Sequence, residues 1–214
     1  LDASGLDLRL TMDGVGETPA TGHLRLPLQF TAEGMPQPVM NRPVSGSAHW
    51  EGSLPALWRF VPLANTSLLG QGYLDAVVSG TLGNPQATAT LKLVGASFED
   101  ILAGLLITDI NTDVELRSHG TSTLDFSAGD GRGGTAALNG TVGAPADGLP
   151  LNLTGMIRNL APLHRNDLDI NLSGDATVTG TATAPDVHAT ITINKGQFRI
   201  LQSFGTSIPT LDVV

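Results

Sequence analysis

Cysteine is absent from the 214 residues, which excludes disulfides and thiolate metal sites while leaving an oxidising compartment open. Aromatic residues make up 4% and charged residues 14%, the latter well below the usual quarter. Lysine occurs only at Lys92 and Lys195, and the net charge is −9, so a phosphate backbone is repelled and nucleic-acid binding is disfavoured. Long apolar runs are missing too. The longest, from Ile101 to Ile107, lies between Asp100 and Asp109 and falls far short of the roughly 20 residues a spanning helix needs. No signal peptide is present, and the chain begins at Leu1 rather than Met, as expected of a segment of something larger.

What the sequence does have is alternation with period two, the pattern of strands with one apolar face. Leu6, Leu8, Leu10 and Met12 share one side while Asp7, Arg9 and Thr11 take the other. The same reading covers Leu24, Leu26, Leu28 and Phe30; Ala87, Ala89, Leu91 and Leu93; Leu124 and Phe126; and Leu149, Leu151 and Leu153. It returns in Leu168, Ile170 and Leu172, and in Val187, Ala189, Ile191 and Ile193. Turn formers at Asp13-Gly14, Gly83-Asn84-Pro85, Gly129-Asp130-Gly131 and Ala184-Pro185-Asp186 come at hairpin-like intervals, which predicts an antiparallel meander. One stretch reads as helix: between Ser53 and Leu63 the residues Leu54, Leu57, Trp58 and Val61 fall on one face, with Ser53 as N-cap and Pro55 in the first turn. Trp50, Trp58 and Phe60 around it form the one aromatic concentration, read either as a helix packed over the sheet edge or as a gate.

A repeat of about 100 residues runs through the chain. Gly80-Thr81-Leu82-Gly83-Asn84-Pro85 aligns with Gly180-Thr181-Ala182-Thr183-Ala184-Pro185. After each proline, Ala89-Thr90-Leu91-Lys92-Leu93 matches Ala189-Thr190-Ile191-Thr192-Ile193, and Phe98 matches Phe198. Gly104 and Ile107 find counterparts one residue out, in Gly205 and Ile208. A fainter copy of the phrase stands at Gly140-Thr141-Val142-Gly143-Ala144-Pro145.

Sites for chemistry are hard to find. The five histidines, His23, His49, His119, His164 and His188, are scattered and none stands at ligand spacing, so no metal is expected. Glu99, Asp100 and Asp109 read as a solvated strand edge rather than an acid–base pair. The glycine-rich stretch Gly129 to Gly134 lacks the lysine-threonine ending and the helix of a phosphate cradle, and reads as a flexible hairpin loop. No Gly-x-Ser-x-Gly elbow occurs. The chain is expected not to be an enzyme and to need no cofactor.

The order of its phrases resembles the TamB family, the inner-membrane-anchored subunit of the bacterial translocation and assembly module. A strand ending in Gly-Thr, a turn ending in Pro, an alternating strand, a glycine, an aromatic and a further apolar strand run from Gly80 to Ile110 as GTLGNPQATATLKLVGASFEDILAGLLITDI. SLPALWRFVPLANTSLLGQGYLDAVVSG upstream, then LDFSAGDGRGGTAALNGTVG and LPLNLTGMIRNLAPL downstream, follow the family's order. The resemblance spans roughly Ser45 to Leu211; the family's N-terminal membrane helix and its C-terminal end are not seen in it.

The resemblance implies an all-β fold: a long, curled, mostly antiparallel sheet shaped as an open groove or taco, with one short amphipathic helix. It implies one continuous segment over 1–214, with repeat-like units at about 45–110 and 140–211 and flanking strands in 1–44. The implied protein is periplasmic, anchored in the inner membrane and paired with a TamA-like outer-membrane barrel. Its implied work is phospholipid transport between membranes or assembly of outer-membrane proteins and autotransporters. Phospholipid acyl chains or unfolded outer-membrane strands would be its cargo. The expected groove lining is Ala89, Leu91, Leu93, Leu124, Phe126, Leu151, Leu153, Leu168, Ile170, Leu172, Val187, Ala189, Ile191 and Ile193, with Leu54, Leu57, Trp58 and Val61 on a helix at its edge. Alternation by itself leaves another arrangement open, a closed β-sandwich adhesin or surface-layer module whose leucines fill an interior.

Overall fold

The computed structural model describes residues 5–31 and 34–199. Along the chain come β1 (Leu6–Met12), β2 (Ala20–Leu26), β3 (Leu28–Phe30), β4 (Pro36–Pro38), β5 (Ser45–Ser53), α1 (Leu54–Trp58), β6 (Thr66–Thr81) and β7 (Asn84–Asp100). Then follow β8 (Leu105–Arg117), β9 (Ser122–Gly129), β10 (Thr135–Val142), β11 (Leu151–Leu160), β12 (Leu168–Thr181) and β13 (Ala184–Phe198). Eleven of the strands make one antiparallel sheet in the order β1-β2-β5-β6-β7-β8-β9-β10-β11-β12-β13, and it does not close into a barrel. β3 and β4 form a separate small hairpin. A sandwich would need a second large sheet facing the first, and the described residues contain none.

Three local expectations are corrected. The alternating run Leu24 to Phe30 is not one strand: Pro27 divides β2 from β3, because its ring fixes φ and removes the ladder donor. The long hairpins turn at Leu82-Gly83 and Ala182-Thr183, so that Asn84 and Pro85 already belong to β7, and Ala184 and Pro185 to β13. The helix stops at Trp58. The N–H groups of Phe60 and Val61 bond the carbonyls of Leu57 and Trp58 in a tightening last turn, and Pro62 disfavours helical backbone at Val61. Val61 is therefore outside α1 and exposed.

The repeat is visible as repeated register. β6 pairs with β7 as Thr81↔Asn84, Gly80↔Pro85, Ala76↔Ala89, Leu74↔Leu91 and Leu68↔Phe98. One hundred residues on, β12 pairs with β13 as Thr181↔Ala184, Gly180↔Pro185, Ala176↔Ala189, Gly174↔Ile191 and Leu168↔Phe198. Even the backbone recurs: Gly80 has φ +86° and Gly180 +85°, and an added Cβ would meet the carbonyl oxygens of Asn84 and Ala184 at 2.7 and 2.6 Å. Only glycine suits that corner. Gly205 and Ile208 lie outside the described residues.

Irregularities also line up. Register shifts fall between Leu69 and Gln71 on β6, Leu93 and Ala96 on β7, Thr108 and Asn111 on β8, Ile157 and Leu160 on β11, and Asn171 and Leu172 on β12. Gly70, Gly95, Asp109 and Asn159 adopt left-handed backbone there. Bulges bend and twist the strands that carry them, so the aligned series creases the sheet. Side chains satisfy the loosened backbone: Asn111 Oδ1 accepts from the Gly95 N–H at 3.1 Å, and Ser173 Oγ from the Asn159 N–H at 3.0 Å.

The buried core is small for the chain's size. Val15, Trp50, Leu54, Ala96, Ile110 and Ala128 form one cluster, to which α1 contributes Leu54 and the loop between β1 and β2 contributes Val15. The accessible surface is 13957 Å², whereas a compact monomer of 22.1 kDa exposes about 9,300 Å².

Candidate functional site

Paired residues share a face, so register alone assigns sides. One row runs Trp50, Leu74, Leu91, Val114, Leu124, Gly140, Leu153, Val178, Val187 across the sheet. Its neighbour runs Gly52, Gly72, Leu93, Thr112, Phe126, Leu138, Gly155, Ala176, Ala189. Alternation along the strands adds Ala89, Leu151, Leu168, Ile170, Leu172, Ile191 and Ile193 to the same side, so all fourteen residues of the expected lining lie on one face. The opposite face carries Asp75, Thr90, Glu115, Thr123, Thr141 and Asn152 in one row, and Tyr73, Lys92, Asp113, Asp125, Asn139, Thr154, Thr177 and His188 in the next. Thr, Asp and Asn on that side are solvated or paired, as in Lys92–Asp113 at 2.7 Å, where the hydrogen bond and charge of Asp113 raise the Lys92 pKa.

The apolar face is not sealed. Leu91 is 36% exposed and Leu116 52%, while Val187, Ile191 and Ile193 on β13 reach 58%, 65% and 67%. On the first strands the face deepens into a trough of about 470 Å³, where Leu8, Leu10, Leu24 and Val78 stand around Gly22, Gly46, Ala48 and Ala76. Sequence reasoning left this part out of the lining. Leucine alternation marks β1 and β2, but the trough floor is glycine and alanine, which carry no hydropathy signal.

At the crease end the face is covered. Trp50 lies against Gly72, where a Cβ would come within 2.6 Å of its ring, and its Nε1 donates to the Val15 carbonyl at 2.8 Å. Leu54 is buried beside it, and Leu57 packs on the same cluster. Trp58 stands edge-on to Phe98 at 5.9 Å and its Nε1 bonds Thr66 Oγ1. Of the four residues placed on a groove-edge helix, Leu54, Leu57 and Trp58 pack inward and Val61 does not.

Further along the same end, residues 161–164 strap across the strand ends. Leu163 bridges Leu105, the Leu106 N–H donates to the Pro162 carbonyl, and the His164 N–H to the Gly104 carbonyl. The strap thus joins the loop after β11 to the start of β8, three strand positions away. Asp130 holds it from beneath. This carboxylate is fully buried; Oδ1 accepts from the N–H groups of Arg132 (2.7 Å) and Gly134 (2.9 Å), and Oδ2 from that of Ala161 (2.7 Å). Burial pushes its pKa up, and the three backbone donors more than offset that, so the pKa ends below 3.8. The glycine-rich stretch expected as a flexible loop is organised around a charge that sequence reasoning assigned to a turn.

No group of three or more histidine or carboxylate side chains able to hold a metal occurs among the described residues. His49 and His23 instead contact single carboxylates, Asp75 and Asp7, on the polar side. No helix among the described residues is long and apolar enough to cross a membrane.

The chain matches no curated protein and no solved structure. A family model does match, from the first residue of β9 onward. Within that stretch lies the β12–β13 hairpin, whose register β6 and β7 repeat. Residues 122–214 match the model of the TamB C-terminal domain, which supports assigning this chain to the TamB family.

Proposed function

We propose that this chain is a segment of a TamB-like, periplasm-spanning protein that carries elongated apolar cargo along the open face of its sheet. The observation that carries the reading is the set of aliphatic side chains, from Leu8 and Leu10 through Leu91 and Leu116 to Ile191, left 36% to 65% exposed with no second layer above them among the described residues. Contiguous apolar patches beyond a few hundred Å² are rare on soluble monomers and mark binding. An acyl chain burying about 300 Å² on such a face would gain roughly 7 kcal/mol before ordering costs, at about 25 cal/mol per Å². That holds a lipid without a specific pocket and lets it slide.

Phospholipid is one cargo that fits; an unfolded outer-membrane strand, equally long and one-sided, is the other. The full-length protein in this reading is anchored in the inner membrane and meets a TamA-like barrel at the outer one, and no catalytic step is assigned to it. A photocrosslinking residue at Leu91 or Ile191 should label copurifying phospholipid, while the same residue at Thr88 on the polar face should not. Labelling confined to loops such as 129–134, with Leu91 and Ile191 inert, would defeat the reading.

A further inference from the structure

The repeat reaches back to the strand before each long hairpin. Pro43 stands just before β5 and bridges Thr81; Pro150 stands just before β11 and bridges Thr181. The Leu82 N–H donates to the Arg42 carbonyl, and the Ala182 N–H to the Leu149 carbonyl. β5-β6-β7 and β11-β12-β13 are therefore two copies of one three-stranded unit, in which residues 54–65 and 161–167 hold the same place.

The two copies fix that place differently. In the first, apolar contacts bolt α1 down: Leu54 is buried, Leu57 packs on the core cluster and Trp58 stands on Phe98. In the second, the strap 161–164 has Leu163 as its one large apolar side chain. Two backbone bonds tie it to β8, from the His164 N–H to Gly104 at 2.6 Å and from the Leu106 N–H to Pro162 at 2.9 Å. Pro162 has no N–H to add another. The Ala161 N–H is held by Asp130, a fully buried carboxylate with no cation on it: the Arg132 guanidinium donates to the Leu163 carbonyl, and the His164 ring to the carbonyl of Asp130 itself. Burying a charge is costly, and an open strap would return this one to water. Non-glycine residues in left-handed backbone stand on both sides, Asn159 (φ +48°) before the strap and Asp109 (φ +50°) on β8. Strain of that kind persists only while the surroundings enforce it.

We propose that residues 161–164 are a latch that opens while the sheet stays folded, and that opening extends the apolar face past the crease by Leu105, Ile107 and Leu160. Ile107 packs with Phe98 on the apolar cluster and shares a side with Leu105, and Leu160 pairs with Leu172 of the lining. The latch rests on the reading of that face as the surface that carries cargo.

Because the chain has no cysteine, a designed pair can lock the strap. Leu105 and Leu163 face each other between the two backbone bonds, a non-hydrogen-bonded pair with Cα atoms about 4.5 Å apart, within disulfide range. In the parent and in the reduced Leu105→Cys, Leu163→Cys protein, the amides of Leu106, Ala161 and His164 should exchange with deuterium about tenfold or more faster than β8 amides bonded to β7 and β9, and low urea should not change their rate. Oxidation should slow them to the rate of those β8 amides, and Asp130→Asn in the parent should speed them. An apolar fluorescent dye should lose part of its binding on oxidation and regain it on reduction. Amides that exchange only with global unfolding, or dye binding equal in the two redox states, would overturn the latch; a pair that stays reduced would overturn the place of the strap on β8. Failure of the cargo reading shows elsewhere, as Leu91 and Ile191 inert to photocrosslinking in both redox states.

Discussion

At the scale of single residues, Asp130 shows how one side chain can govern a loop that composition describes as loose. Its three acceptor contacts satisfy the backbone N–H groups of Arg132, Gly134 and Ala161, the last two of them buried. Asp130→Ala orphans all three and should cost about 3 kcal/mol or more, read as a drop in urea midpoint at unchanged slope. Asp130→Asn keeps the two bonds to Oδ1 but turns an amide donor toward the Ala161 N–H, so its loss should be smaller. Because the folded pKa lies below 3.8, the charge contributes stability fully above that value and loses it as pH falls through the folded value. The acid limb of a stability profile should therefore flatten in Asp130→Asn; parallel limbs would sink the assignment. None of this was legible in Gly129-Asp130-Gly131, which signals a turn and says nothing about what lies over it. The donor from Ala161 is 31 residues away, and only the fold brings it there.

At the scale of elements, β1, β2, β7, β9, β11, β12 and β13 were legible because leucine, isoleucine, valine and alanine alternate along them, whereas β4, β5, β6, β8 and β10 were not singled out that way, and the turns were legible by their glycine, asparagine and proline. Gly180→Ala and Gly80→Ala each force a Cβ onto a carbonyl oxygen at a left-handed corner, and each should destabilise by about 1–3 kcal/mol. Similar losses at the two sites would express the common register of the two hairpins, whereas a neutral result at either would mean the corners differ. The helix was legible in kind but not in length. Spacing put Leu54, Leu57, Trp58 and Val61 on one stripe, yet Pro62 ends the helical backbone before the fourth. Leu54→Ala should cost about 2–4 kcal/mol because the residue fills the cluster over Gly72. Val61→Ala should stay within about 0.5 kcal/mol. The bulges escaped sequence reasoning for a physical reason: an extra residue interrupts alternation by a single step, and Asp109 and Asn159 in left-handed backbone look like any other polar strand residues.

At the scale of the whole molecule, periodicity could say that each strand has an apolar side but not whether another layer covers it, since a filled sandwich and an open sheet obey the same rule. Pairing order decides for a single eleven-stranded sheet. That distinction has a thermodynamic consequence. In a closed core, replacing a leucine by asparagine buries an amide without partners and costs several kcal/mol. On the open face Leu91, Leu116 and Ile191 already touch solvent, so Leu91→Asn, Leu116→Asn and Ile191→Asn should each cost about 1 kcal/mol or less, with Ile191, at 65% exposure, the mildest. Combined, the three should leave a cooperative urea transition lowered by no more than the sum of the single losses, about 3 kcal/mol, while reducing the binding of an apolar fluorescent dye. The sites lie on different strands and should add. A triple variant that unfolds outright would mean that these side chains are core, and a folded one that still binds dye as before would mean that the exposed apolar surface lies elsewhere on the molecule.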